Sequence, residues 1–191
     1  MPLPRFHRLT AERRADILRV ARAEFARHGP EAASYNQIIA LAEISKASAY
    51  HYFDGKEDLL GEVLAEVRAR LLGALGPWVP VGTDRDFWAG LRAGSARLVG
   101  HLGTHPDDRA LADAALARAP REESAAWLAA VLDNGIALGV IRDDIDRELL
   151  LGVTAGALAA VDGWALAGGT DLDQGWSLLA GLWTAPGGRH A

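Results

Sequence analysis

Helical periodicity runs through almost the whole sequence, and it restricts the fold more than any other feature. Apolar residues recur three or four positions apart, as Ile17, Ala21 and Phe25 do. No segment of the sequence alternates apolar and polar residues in the way that half-buried strands require. We also find no internal repeat. The sequence therefore predicts an all-α protein.

Capping residues and helix breakers divide this pattern into segments. Ser34, with Gln37 three residues later, forms the pattern of a capping box. The segment from Gly76 to Thr83 contains two prolines and two glycines and is predicted to be a linker. Helices are expected to be entered at Thr10 (ending at Gly29), Ser34, Ser45 (ending near Tyr52) and Lys56, with others near 85–103, 107–118, 121–139, 146–167 and 172–184.

Composition narrows the class of protein. Half of the 191 residues are apolar, so the chain can form a buried core, and it has no cysteine. Disulfides, thiolate nucleophiles and cysteine-bound zinc are therefore excluded. The first residues lack the apolar central region of a secretory signal, and we expect a cytoplasmic protein. The apolar run from Leu149 to Gly169 is interrupted by Asp162 and is predicted to be a buried helix rather than a membrane span.

The charge is unevenly distributed along the chain. The net charge of the whole sequence is −5, which alone argues against nucleic acid as a partner. Residues 1–56, however, contain nine Lys/Arg and six Asp/Glu, whereas residues 57–191 contain eleven and nineteen. A mildly basic head thus precedes an acidic body.

The head contains two short helices joined by a break of about three residues and preceded by a longer helix. This is the plan of a helix-turn-helix, whose second helix enters the major groove. Helical spacing places Ala49 and Phe53 on the inner face of the second helix. The outer and flanking positions carry groups that suit base edges and phosphates, namely Lys46, Ala47, Ser48, Tyr50, His51 and Tyr52, and Lys56 opens the next helix.

Ser34 and Tyr35 begin the preceding helix, where backbone N–H groups favour a phosphate. The alternative is an ordinary helical hairpin with two half-buried tyrosines, because such hairpins are common in bundles. Spacing alone leaves both interpretations open.

The segment RRADILRVARAEFARHGPEAASYNQIIALAEISKASAYHYFDGKEDLLGEVL resembles the DNA-binding domain of the tetracycline-repressor (TetR) family. That family shows Phe-x-x-x-Gly at the end of the first helix and a Ser/Thr-capped second helix. A signature of the form Val-Ser-x-Gly-Thr-x-Tyr-x-Tyr-Phe-x-x-Lys-x-x-Leu follows. The matching positions include Phe25, Gly29, Ser34, Ile38, Ala42, Ile44, Ser45, Tyr50, Tyr52, Phe53, Lys56 and Leu59.

The resemblance implies a DNA-binding domain at residues 1–56, with the helix-turn-helix at about 34–53, and a ligand-binding and dimerisation domain at 57–191. It implies a sequence-specific regulator, most simply a repressor released from a palindromic operator by a small-molecule effector. The chain departs from the family at Glu43, where a turn glycine is usual, and at Ala47 and Ser48, which replace Gly-Thr. The DNA contacts it implies are Ser34, Tyr35, Asn36, Lys46, Ala47, Ser48, Tyr50, His51, Tyr52 and Lys56.

The body of the chain offers candidates for the two other expected sites. Small residues recur every four positions in the penultimate helix, which lets a neighbouring helix approach closely, and similar proteins dimerise through their last two helices. The alternative for these positions is core within one chain. The dimer candidates are Gly152, Gly156, Ala159, Ala160, Gly163, Trp176, Leu179 and Trp183.

The candidates for an effector pocket lie on two other helices, and plain core packing is again the alternative. They combine aromatic or apolar walls with polar groups, and they are Trp88, Arg92 and Ser95 on one helix and Trp127, Val131 and Asn134 on another.

A metal-dependent enzyme and a ligand carrier are the two alternatives to a DNA-binding regulator. His101 and His105 have metal-ligand spacing, but Pro106 biases His105 away from helical geometry, so no metal or other cofactor is expected and no enzyme motif is present. A helical ligand carrier or interaction module with a degenerate head is the second rival.

Arg5 and Arg8 could reach a minor groove, although a frayed terminus is the simpler expectation.

Overall fold

The computed structural model describes residues 2–118, 121–169 and 171–185. Over these residues every regular element is an α-helix. The ten helices are α1 (Pro4–His7), α2 (Ala11–Ala32), α3 (Tyr35–Leu41), α4 (Lys46–Tyr52), α5 (Lys56–Leu75), α6 (Asp84–Thr104), α7 (Pro106–Ala117), α8 (Arg121–Ala137), α9 (Arg147–Leu166) and α10 (Leu172–Trp183). The all-α prediction and the predicted helix positions are confirmed.

The predicted caps form because each side chain accepts a hydrogen bond from the first turn of its helix. Thr10 Oγ1 accepts from Arg13 N at 3.2 Å, and Ser34 Oγ accepts from Gln37 N at 3.3 Å. Helix α2 kinks at Gly29, where φ is 79°, so its regular part ends where the sequence predicts.

The N-terminal segment from residue 2 onward is not frayed, and the expectation of a loose arm is wrong. Residues Pro4–His7 form α1, with proline in the first turn. Phe6 is buried and packs against Phe53, with ring centroids 4.6 Å apart. Leu3 N also donates to Tyr52 O at 2.8 Å. The segment is therefore fixed against the end of α4, while Arg5 and Arg8 are exposed on it.

The chain divides into two compact units. The first comprises Met1–Gly73 and Gly100–Arg118, and the second comprises Ala74–Val99 and Ala119–Ala191. The contacts therefore do not divide the chain at residue 56, because α5 continues through Gly73 in the first unit and α7 packs on α2. The functional boundary at 56/57 stays a prediction, since these units are defined by contacts and not by function.

Each unit has its own apolar core. In the first unit the buried residues lie on α2, α3, α4 and α5, and they include Phe25, Ile38, Ala49, Leu60 and Val63. The core of the second unit is formed by Phe87, Leu91, Leu128, Val131, Leu132, Ile141, Leu150, Leu179 and Trp183.

Helix α9 is not the buried helix that its composition predicts. Only 11% of its most apolar 18-residue window is buried. Leu150 and Thr154 face the core, while Gly152, Gly156 and Ala160 are exposed. Most of the apolar surface of α9 is therefore left uncovered by the residues that the structure describes.

Candidate nucleic-acid interface

The turn between α3 and α4 is held by a side chain from another helix. Glu43 adopts the left-handed region with φ 52°, at the position where the family usually has a turn glycine. The Arg13 guanidinium of α2 donates from Nη2 to Ala42 O at 2.9 Å and to Glu43 O at 3.1 Å. Arg13 thus satisfies carbonyls at the end of α3 and fixes the angle at which α4 leaves the turn.

Helix α4 has one buried face and one exposed face, as its spacing predicts. Ala49 and Phe53 are completely buried and seat the helix on the first unit. Lys46, Ala47 and His51 are exposed, and the Tyr50 side chain is 59% exposed. The leading end of α4 is therefore free to meet a duplex, although contact with DNA itself stays a prediction.

Serine hydroxyls organise the N-terminus of α4. Ser45 Oγ accepts from Ser48 N at 3.1 Å, and the two hydroxyl oxygens are 2.9 Å apart. Ser48 is half-buried. The pair keeps the first turn of α4 regular, so that Lys46 and Ala47 project from a defined backbone.

Tyr35 braces α3 against α4. Its hydroxyl donates to Ala49 O at 3.4 Å, and its ring meets the Tyr50 ring edge-on with centroids 6.0 Å apart. Burial raises the pKa of Tyr35 to about 12, with smaller contributions from the neighbouring Tyr50 and Asp58. Because its hydrogen is committed to Ala49, the Tyr35 hydroxyl is poorly placed for the phosphate contact that the sequence suggested.

Of the remaining predicted DNA contacts, two residues are exposed and two contact other residues of the head. Ser34 and Asn36 are exposed at the start of α3. Tyr52 is half-buried, with its ring 6.3 Å from that of Phe6. Lys56 Nζ donates to Glu31 O at 2.6 Å, so this cation is already hydrogen-bonded within the head.

Arg13 and Phe6 contribute to the shape of this surface, and sequence reasoning missed both roles. Helical spacing places Arg13 on the outer face of α2, and its contact with the turn, across about 30 residues, leaves no periodic signal in the sequence. For Phe6 a signal existed, namely an apolar residue two positions after a proline that can begin a helix.

The six predicted pocket residues are not brought into one cavity. Val131 is buried in the core, and Asn134 is engaged by the linker, accepting from Val81 N at 2.9 Å and donating to Val81 O at 3.0 Å. Trp88 packs against Phe87 and Trp183. The placements of the other three differ: Arg92 is exposed 5.6 Å above the Trp176 ring, Ser95 is half-buried, and Trp127 lines a surface groove.

The predicted dimer residues separate by exposure. Leu179 and Trp183 are buried in their own core, and Trp183 Nε1 donates to Thr154 Oγ1 at 3.1 Å, so both face inward. Gly163 and Trp176 are half-buried. The small residues are exposed together with apolar side chains that the sequence analysis did not single out: Gly152, Gly156, Ala159 and Ala160, with Leu149, Val153, Trp164 and Leu178.

The histidine pair is held together, contrary to expectation. The rings of His101 and His105 stack with centroids 4.0 Å apart, because His105 Nδ1 lies 2.9 Å from His101 O across the helix end. His101 Nε2 is bonded to Asp108 at 2.9 Å. Within the described residues no three metal-ligating side chains cluster.

Comparison with known proteins agrees with this geometry. Residues 17–63, which contain α3, α4 and the turn, match the family described as bacterial regulatory proteins, tetR family. The N-terminal part of the chain, residues 17–63, therefore carries a DNA-binding domain of the TetR type. A search of curated proteins finds no match.

Solved structures of TetR-family regulators share the fold along most of the chain. A regulator from Pectobacterium atrosepticum is 27% identical, with 93% of this chain and 99% of that chain covered and a TM-score of 0.59. One from Chloroflexus aurantiacus J-10-FL is 25% identical, with 94% and 89% covered and a TM-score of 0.54. One from Shewanella sp. PV-4, at 17% identity, covers 90% and 96% with a TM-score of 0.65 and establishes the fold alone. The family match and the structures of 25% and 27% identity support a DNA-binding regulator.

Proposed function

We propose that the protein is a homodimeric transcriptional repressor that acts in the cytoplasm and leaves its operator when a small molecule binds the body. The operator is a duplex with two related half-sites, each read by one α4 helix. No residue is assigned a catalytic role. Contacts to DNA come from Ser34, Asn36, Lys46, Ala47, Ser48, Tyr50, His51, Tyr52 and, through its remaining hydrogens, Lys56.

One observation carries the DNA-binding part of the proposal. Helix α4 is anchored by Ala49 and Phe53, while Lys46 and Tyr50 point away from the unit. A recognition helix needs buried residues that fix its position and an exposed polar face, because a fixed helix holds its side chains where they can reach the base edges. A half-buried hairpin, the alternative left by spacing, would cover Tyr50, which is 59% exposed.

The exposed face of α9 and α10 supports the dimer. Leu149, Val153, Trp164 and Leu178 are large apolar side chains left in contact with solvent. The glycines between them would allow a second copy to approach closely, and a two-fold pairing would bury this face on both chains at once.

A membrane is the competing explanation for the same helix. Among the described residues, α9 alone is long and apolar enough to cross one. Its glycines, however, favour close helix packing, and Arg147 at its start forms a bidentate pair with Asp133 at 2.8 and 3.0 Å. Thr154 also bonds to Trp183 of the adjoining helix. These contacts belong to a helix that packs within a bundle, which favours the dimer.

Selection of bound sites from random duplex DNA tests the DNA-binding role. We expect two copies of one half-site in inverted orientation. Lys46→Ala and Tyr50→Ala should each weaken retardation of the selected duplex at least tenfold, whereas Arg85→Ala, an exposed cation of α6, should not. Helix content should be equal in all four proteins. If both α4 variants bind as wild type does, the assignment of Lys46 and Tyr50 as DNA contacts is wrong. If no sequence is selected, the ligand carrier with a degenerate head is the better explanation.

Sedimentation equilibrium tests the dimer with a matched pair of variants. Leu178 and Val79 are both 68% exposed, but only Leu178 lies on the α9–α10 face. Leu178→Glu should give monomers at concentrations where wild type and Val79→Glu are dimers. Equal dimerisation of all three proteins would place the interface elsewhere.

A further inference from the structure

The second unit carries a small groove with an aromatic wall. It has a volume of about 220 Å³ and lies where the linker after α5 crosses α6. Trp78, Val81 and Trp127 supply apolar lining, and Arg97 lies at its edge. Gly90 of α6 permits the crossing, because a Cβ there would stand only 3.2 Å from the Trp78 ring.

The neutral donors that line this groove are already used. Trp78 Nε1 donates to Asn134 Oδ1 at 3.2 Å, and Trp127 Nε1 donates to Gly76 O at 3.0 Å. Both indole N–H groups therefore fix the wall and are not available to a ligand. A ligand that needs many neutral hydrogen bonds would leave its own polar groups unsatisfied here.

Arg97 is the polar side chain of the groove that still has N–H groups to donate to a ligand. Its Nε donates to Ala74 O at 3.3 Å and its Nη2 to Leu75 O at 2.6 Å, which fixes the guanidinium beside Gly76. Its Nη1 makes no hydrogen bond to any residue that the structure describes. The groove thus combines flat apolar walls with one oriented cationic donor at its edge.

We propose that this groove binds a small aromatic carboxylate, with the ring against Trp78 and Trp127 and the carboxylate paired with Arg97. The volume lies below the roughly 300–1,000 Å³ of sites for drug-sized ligands, which selects a ligand with a single ring. The inference rests on the proposed function, since it names the class of effector to which the repressor responds.

Calorimetric titration with matched probes tests the site. Benzoate and phenylacetate are compared with their uncharged amides, benzamide and phenylacetamide, on the wild-type dimer. We expect the carboxylates to bind at least about fivefold more tightly than the amides, because only they pair with a guanidinium. This comparison needs no variant, so it is unaffected by changes in folding.

A pair of arginine variants then locates the binding site. Arg97→Met should weaken benzoate binding about fivefold, to the level of benzamide. Arg92→Met removes an exposed cation of the same helix that is paired with Asp173, outside the groove, and should leave benzoate binding unchanged. Equal binding of benzoate and benzamide, absence of binding by all four probes, or equal loss in both variants would overturn the proposal.

Operator retardation in the presence of benzoate separates this inference from the proposed function. Release of DNA by benzoate in wild type, but not in Arg97→Met, supports both. Binding of benzoate at Arg97 without any change in operator affinity supports the groove as a ligand site and contradicts ligand-controlled repression.

Discussion

Replacement of Glu43 by glycine is expected to stabilise the protein, although it removes a charged side chain from the turn that presents α4. A non-glycine residue in the left-handed region costs about 1–2 kcal/mol, and Glu43 has φ 52°. Glycine adopts this region freely but loses about 0.5–1 kcal/mol in backbone entropy. The net gain in unfolding free energy is therefore about 0.5–1 kcal/mol.

The same structure predicts that Arg13 and Glu43 are energetically coupled. Arg13→Ala removes two charge-assisted hydrogen bonds, one partly buried and one exposed, and should cost about 1–2 kcal/mol. Part of that cost arises because the two hydrogen bonds hold the turn in its strained conformation. Glu43→Gly relieves this strain, so Arg13→Ala should cost about 0.5 kcal/mol less in the Glu43→Gly background than in wild type.

Urea unfolding followed by circular dichroism, on the two single variants and the double variant, measures this coupling. Arg19→Ala is the control, because Arg19 lies on the same helix and its ion pair, with Asp16 at 3.5 Å, is at the surface. A loss of stability in Glu43→Gly, or strict additivity of the two changes, would refute the role assigned to the turn.

Three further changes test other parts of the fold. Phe6→Ala should lower the unfolding free energy by about 3 kcal/mol, because Phe6 is buried against the end of α4; a change below 1 kcal/mol in urea unfolding would mean that α1 is not fixed there. Burial opposes the charge of Asp108, but hydrogen bonds from Arg70 and a neighbouring histidine outweigh it and hold its pKa below the ordinary value. Asp108 therefore contributes stability above about pH 4 that is lost as the pH falls further, and Asp108→Asn should cost about 2–3 kcal/mol at pH 7. Asp107→Asn should cost little, because Asp107 is only partly buried and lies 4.0 Å from Arg22. Burial raises the pKa of Asp162 to about 6, so the charged carboxylate destabilises the fold at pH 7 and this penalty falls as the pH is lowered to 5. The unfolding free energy of wild type should therefore rise by about 1 kcal/mol between pH 7 and pH 5. Thermal unfolding measures this gain, which Asp162→Asn should not show.

Local signals account for what the sequence predicted well. The helix-turn-helix could be located because its caps, at Ser34 and Ser45, and its buried anchors, Ala49 and Phe53, are separated by a few residues. Such features depend on neighbours along the chain, and spacing alone describes them. Glu43 stood out for a different reason, because the family that the chain resembles usually has glycine there, and the left-handed φ itself is a finding of the structure.

Features that depend on distant contacts were not predictable from spacing. Trp127 and Asn134 combine aromatic and polar character, which suggested a ligand, but both bind the linker instead. Leu179 and Trp183 were expected at a dimer interface because they lie on the last helix. Their helical face is directed into the core of the same chain, and only coordinates distinguish the inner face of an apolar helix from its outer one.

The cations of the head make two copies on one duplex a physical requirement of the proposal. Several of the nine Lys/Arg within residues 1–56 are used to hold the fold together: Arg13 binds the turn, Arg14 donates to His7 O and Leu9 O, Arg22 approaches Asp108, and Lys56 donates to Glu31 O. A net charge of +3 therefore overstates what one head offers to phosphates. Each phosphate neutralised contributes about one unit to the salt dependence of binding, so a single head binds weakly at physiological salt. In the proposed dimer, two heads joined through the apolar face of α9 and α10 would bind as one unit, because the second contact becomes intramolecular. Without a second copy docked on the exposed apolar face, the sparsely charged head would therefore have little affinity for DNA.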